Sequence, residues 1–253
     1  MKKIFLILSI VFLFNACSSV DNTLTQVSTI DALLAGYYDG VMPLDKLTKY
    51  GNFGLGTFDK LDGEMIVYNG IVYQFKTDGK LYKADLSGTT PFASVVNFNN
   101  SFTTSMKSGV SFADFQSVID NALPNKNLFY AIKVTGDFSF MKTRSVPPQE
   151  KPYKSLSEVT KTQAVFEKEN QSGTLVGFRL PEFTKGVNVP GYHVHFITSD
   201  FTFGGHVLDF STGNVTVEVQ EINNFYMILP KDSEFGKVDL SKDRSKELKK
   251  VEN

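Results

Sequence analysis

The 253-residue chain contains no tryptophan, a single cysteine and only three histidines, and its arginines are three, Arg144, Arg179 and Arg244. Each scarcity excludes something. With Cys17 alone there is no internal disulfide framework. A formal charge of −1 leaves no basic excess, so no nucleic-acid partner is expected. No apolar run reaches the roughly 20 residues that a membrane-spanning helix needs. No repeat at a solenoid period is present. What is abundant points the other way: 23 phenylalanines and 10 tyrosines favour strands.

The first residues have the order of a secretory signal. Lys2 and Lys3 precede an apolar run from Ile4 to Phe14, and "NACSS" follows. Cys17 stands behind Ala16, where a bacterial lipoprotein signal carries its lipidated cysteine, although Phe14 and Asn15 replace the usual leucine and small residue. Residues 1–17 are therefore expected to be a lipoprotein signal peptide. The mature protein is expected to be exported and lipid-anchored to a bacterial membrane on its extracytoplasmic side.

The remainder is long enough for one large domain or two modest ones. "TQVSTIDALLAGYYDG" predicts a helix capped by Ser28 or Thr29, with Ile30, Leu33 and Leu34 on one face. A strand meander follows, punctuated by Asp62-Gly63, Asn69-Gly70 and Asp78-Gly79, the pairs that two-residue hairpin turns require. "SFADFQSVIDNAL" has helical spacing through Phe112, Phe115, Val118 and Ile119. "NLFYAIKVTGDFSFMKT" reads as one or two strands, and "AVFEKENQSGTLVGFRL" as a hairpin turning at Gln171 to Gly173. "YHVHFIT", "FTFGGHVLDF", "NVTVEVQEI" and "NNFYMILP" read as four more strands, before a charged, partly helical tail. The fold class is α+β, with two mainly antiparallel or mixed β-sheet subdomains and a few flanking helices. The polar, proline-rich stretch after Arg144 suggests an N-terminal α+β domain over 22–145. A C-terminal β-rich, metal-binding domain with a polar tail would then cover 146–253.

All three histidines, His193, His195 and His206, fall within "GYHVHFITSDFTFGGHVLDF". If its two strands turn at Ser199-Asp200, or through a four-residue loop from Thr198 to Phe201, His193 faces His206 and His195 lies one diagonal away. Alternation puts His193 and His195 on one face, and opposed residues share a face. Opposed Cβ atoms sit about 5 Å apart and diagonal ones about 7–8 Å, so three rings can meet at one ion. Three nitrogen ligands with an open position are the pattern of catalytic zinc, Zn2+. Gly204 and Gly205 leave room for a bulge or a substrate.

These residues carry a resemblance. "GYHVHFITSDFTFGGHVLDF" closely resembles the metal-binding segment of the acetolactate decarboxylase family, "GNFGLGTFDKLDGEMIVYNGIVYQ" its N-terminal meander, and "PFASVVNF" its next strand. The likeness runs from about Thr23 to the C-terminus. It implies a zinc enzyme, a carboxy-lyase that converts 2-acetolactate to acetoin and carbon dioxide through a metal-stabilised enediolate. It implies His193, His195 and His206 as metal ligands, Glu64, Arg144 and Glu252 as catalytic polar groups, and Thr57 as a substrate-lining residue. By pattern alone Glu64 reads as a solvated turn carboxylate, Arg144 as a surface charge and Glu252 as part of a loose tail. Two other readings stay open: another zinc lyase or hydrolase of a small hydroxy-keto acid, and a non-catalytic zinc-binding lipoprotein. A homodimer is among the states open to the chain.

Overall fold

The computed structural model describes residues 22–252, so the expected signal and Cys17 lie outside them. The first half runs β1 (Thr23–Val27), α1 (Ile30–Leu34), β2 (Met42–Pro43), α2 (Leu44–Leu47), β3 (Phe53–Thr57), β4 (Glu64–Tyr68), β5 (Ile71–Phe75), β6 (Leu81–Lys83), β7 (Thr89–Thr90), β8 (Ala93–Val96), β9 (Phe102–Met106), α3 (Phe112–Ala122) and β10 (Phe129–Ser145). The second runs α4 (Leu156–Val159), β11 (Ala164–Leu180), β12 (Gly191–Thr198), β13 (Gly204–Ile222), β14 (Asn224–Ile228) and α5 (Ser245–Glu252).

Two sheets carry the α+β architecture. A seven-stranded mixed sheet has the order β14-β1-β8-β3-β4-β5-β6, with only the β1–β14 pair parallel. A five-stranded antiparallel sheet has the order β10-β11-β12-β13-β9 and closes on itself, because β10 also pairs with β13. The expected boundary at 145/146 falls between β10 and α4. Both sheets draw strands from either side of it: β14 joins the first, and β9 and β10 join the second.

Sequence patterning explains most elements, and its failures have local causes. Thr29 caps α1 by accepting from the Ala32 amide, as its side chain predicts. Asn69-Gly70 makes the two-residue turn, both residues at positive φ (51° and 76°), with Tyr68 facing Ile71. Asp62-Gly63 does not: β3 and β4 are joined by a longer loop that places Thr57 opposite Glu64. In α3, Phe115 and Ile119 are buried but Val118 is half exposed, so the apolar face is narrower than its spacing suggests. The expected hairpin at Gln171 is instead one strand of 17 residues, β11, which pairs with β10 from Tyr130–Arg179 to Ser145–Ala164. Asn170, at φ 53°, is a local irregularity inside that strand and not a turn. Likewise β13 is one strand of 19 residues in place of two.

Among the described residues four apolar clusters are buried, three of which hold the strands and helices around the histidines. Leu24, Phe53, Leu55 and Ile66 pack across from Val176, Phe178 and Ile197 between the sheets. In a second cluster Phe115 and Ile119 of α3 meet Phe138, Phe196 and Phe210 of the five-stranded sheet. A third cluster gathers α1, α4 and α5 through Leu33, Leu34, Leu156, Val159, Leu248 and Val251. An isolated helix of eight residues is unstable in water, so α5 depends on burying Leu248 and Val251 there, worth about 1.5–3 kcal/mol per side chain.

Candidate metal centre and active site

The three histidines converge, but through a register two residues away from the expected one. Thr198 and Phe203 close a four-residue loop, with the Thr198 amide donating to the Phe203 carbonyl at 3.0 Å. Asp200 supports the loop by accepting from the Thr202 amide, and Phe201 adopts φ 57°. His195, not His193, therefore stands opposite His206. A shift of two preserves the face of every side chain, so the convergence survives. The three ring centroids lie 5.1–5.3 Å apart. Gly204 and Gly205 are set by close packing: a Cβ at Gly204 would stand 2.5 Å from the Phe196 carbonyl, and at Gly205, φ 123°, 2.8 Å from Phe75 and the Arg144 carbonyl.

The histidines face the inter-sheet layer, and one is fixed from across it. The Met65 carbonyl of β4 lies 2.8 Å from His195 Nδ1 and leaves Nε2 free to face the cluster. His193 Nδ1, His195 Nε2 and His206 Nε2 are buried without a hydrogen-bond partner, a costly arrangement unless something else binds them. Burial first, and then the charge of Arg144 and the neighbouring rings, holds all three pKa values down, His193 to about 3. Neutral rings with orphaned nitrogens are what a metal ion requires. One ligand atom from each lies within 4.8 Å of the others, so the residues fit a metal ion.

Around them stand the other expected residues. Glu64 opens β4, Arg144 lies near the end of β10, and Glu252 is the last residue of α5. The solvated readings are overturned: Glu64 is 5 % and Arg144 4 % exposed, and Glu252 belongs to an ordered helix. Arg144 pairs directly with His206 across β10–β13, which brings it to the cluster. Its Nη1 lies 3.7 Å from Glu64 Oε1 and its Nη2 4.0 Å from Glu252 Oε1. Glu64 Oε2 is 3.8 Å from His195 Nε2, and Glu252 Oε2 is 3.7 Å from His206 Nε2. Burial pushes both carboxyls up to about 7 against the pull of Arg144. The Thr57 hydroxyl donates to the Gly63 carbonyl at 2.8 Å, tying down the turn that presents Glu64. Gly63 sits at φ 87° with a Cβ position 2.3 Å from the Phe75 carbonyl, so only glycine fits there.

These residues line one cavity of about 30 Å³, walled on its far side by Ile30, Leu33, Leu61, Phe92 and Leu156. That apolar wall was not identified from sequence, where Leu33 served only as a packing position. His206 and Glu252 also border an open cleft of about 680 Å³ on the other side of α5.

A family profile described as alpha-acetolactate decarboxylase matches residues 24–242, which leaves α5 outside the match. The chain is 48% identical over 237 residues to the alpha-acetolactate decarboxylase of Methanosarcina mazei, covering 93% of this chain and 82% of that one. The Bacillus subtilis strain 168 enzyme of the same name is 40% identical over 228 residues, with 90% and 89% covered. A crystal structure of alpha-acetolactate decarboxylase from that strain superposes with a TM-score of 0.89, covering 91% of this chain and 99% of the other. The chain belongs to the alpha-acetolactate decarboxylase family.

Proposed function

We propose that the protein decarboxylates 2-acetolactate to acetoin and carbon dioxide at a zinc ion held by His193, His195 and His206. The observation that carries this reading is the meeting of three buried imidazoles, two carboxyls and one buried guanidinium around a single cavity. When bound, zinc would supply a Lewis acid for the electron pair left behind as carbon dioxide departs.

The chain's own groups do the rest. Arginine is a poor acid, and the place of Arg144 between Glu64 and Glu252 suits it to hold a negative oxygen. A guanidinium clamped on the departing carboxylate would stabilise the substrate more than the transition state. Arg144 therefore faces the oxygen on which charge grows. Burial favours the protonated form of Glu64 and of Glu252, so either can hold a proton for transfer. One of them delivers it to the carbon that has lost carbon dioxide, from one side, and so sets a single acetoin enantiomer. The apolar wall keeps water from competing for that carbon. The cleft bordered by His206 and Glu252 offers a route toward the site.

The test is acetoin formation from racemic acetolactate by purified protein lacking residues 1–17, with and without a chelator. Turnover that needs metal is expected; a zinc-loaded protein that forms no acetoin ends the reading. Deleting residues from Lys249 onward removes Val251 and Glu252 together and leaves the histidines untouched. Metal content should stay near one ion per chain while turnover falls, and unchanged turnover would exclude Glu252 from the chemistry.

We infer in addition that the protein is exported and anchored through lipidated Cys17. Among the described residues no helix is long and apolar enough to cross a membrane, so attachment would rest on the acyl chains. Cys17→Ser should release the protein from the membrane fraction or leave it unprocessed; unaltered membrane association would defeat the inference.

A further inference from the structure

The loop between β3 and β4 contains two consecutive non-glycine residues in the left-handed region, Lys60 at φ 59° and Leu61 at φ 60°. Leucine has neither the missing Cβ of glycine nor the short polar side chain of asparagine that makes this region tolerable. The conformation is held by bonds on every side. The Lys60 amide donates to the Tyr38 carbonyl at 2.8 Å, and the Lys60 carbonyl accepts from the Gln149 amide at 2.8 Å. The Leu61 amide donates to the Phe58 carbonyl at 2.9 Å, and the Leu61 carbonyl accepts from the Gly63 amide at 2.7 Å. A backbone kept in a disfavoured region by so many contacts marks a place where side-chain direction matters.

The two side chains go to different places. Lys60 is exposed, so its side chain gains nothing from the bend. Leu61 is 1 % exposed and forms part of the cavity wall, facing the space shared with Thr57, Glu64 and Arg144. The loop that ends at Glu64 thus sets both an acid and an apolar surface against the same small volume. A hydroxy-keto acid bound there has its oxygens drawn to the histidines, Arg144 and the carboxyls. Its two methyl groups, on the hydroxyl-bearing carbon and on the acetyl group, are left to the apolar residues that line the same cavity.

Resting on the decarboxylase reading above, we propose that Leu61 is a specificity-determining residue: its side chain bounds the pocket for the alkyl group on the hydroxyl-bearing carbon, admitting methyl and disfavouring ethyl. The strained turn fixes that wall, whereas α5, on the cavity's other border, is tied down by two buried side chains.

The test compares kcat/KM for acetolactate and for its ethyl-substituted homologue in four zinc-loaded proteins: wild type, Leu61→Ala, Leu61→Gly and Lys60→Gly. Both Leu61 variants should shift the ratio toward the ethyl substrate by about 10-fold or more, the scale on which a hydrophobic pocket senses one methylene. Leu61→Gly also relieves the φ strain, so it guards against loss of fold from the missing side chain. Lys60→Gly should raise the melting temperature and leave the ratio at its wild-type value, separating backbone relief from wall removal. Folded Leu61 variants that keep the wild-type ratio overturn the proposal, as does a Lys60→Gly ratio that moves as far as theirs. Wild-type protein that yields no acetoin overturns the functional reading, and this inference with it.

Discussion

His195→Ala protein is expected to purify without its metal and without measurable acetoin formation. His195 stands at the centre of the cluster, directly opposite His206 and one alternation from His193, with its ring locked by the Met65 carbonyl. Alanine removes one of three nitrogens and leaves two, short of the three protein ligands that a catalytic zinc site holds. It also strands the Met65 carbonyl in a buried layer, a penalty of about 1–3 kcal/mol that should appear as a lower melting temperature. Metal content per chain by elemental analysis, with circular dichroism to verify the fold, makes the measurement. Full occupancy in a folded variant would remove His195 from the ligand set.

The second large effect belongs to Glu64→Gln. The amide keeps the size of the side chain and its place 3.7 Å from Arg144, but it has no titratable proton. Loss of a positioned acid or base typically costs about 10²–10⁴ in rate. A fall of that order in kcat is expected with zinc retained, together with acetoin of lower enantiomeric purity as water reaches the intermediate from either side. Chiral chromatography of the product distinguishes this outcome from a simple loss of substrate binding. Normal turnover with normal stereochemistry would assign the proton to Glu252 or to solvent.

The histidines were legible because side-chain alternation is insensitive to a shift of two. The expected pairing of His193 with His206 was wrong in register, yet it predicted the right face. The remaining groups were not legible in pattern, because what makes them functional is long-range pairing. Arg144 reaches the cluster only because β10 pairs with β13, and Glu64 only because Met65 lies against His195. Nothing local marks either residue as buried; their assignment came from resemblance to a family. The long ribbons β11 and β13 failed for a related reason. Gln171 and Gly173, which resemble turn residues in isolation, sit inside a strand whose course is dictated by β10 along its length and by β12 from Gly173 onward. The wall residues Leu61 and Leu156 were invisible because an apolar side chain facing a cavity has the same pattern as one facing a core.

The parallel pairing of β1 with β14 sets the order in which the protein can be made. Thr23 pairs with Asn224 and Val27 with Ile228, so one edge of the seven-stranded sheet joins nearly opposite ends of the described chain. While the ribosome is still adding β12 and β13, β1 has only β8 as a neighbour and exposes an open edge. Parallel, long-range pairing is slow to form even once both strands exist. The β1–β14 pair therefore cannot form until residues 224–228 have been made. The nascent chain remains a substrate for whatever machinery handles unfolded polypeptides until the last strand arrives.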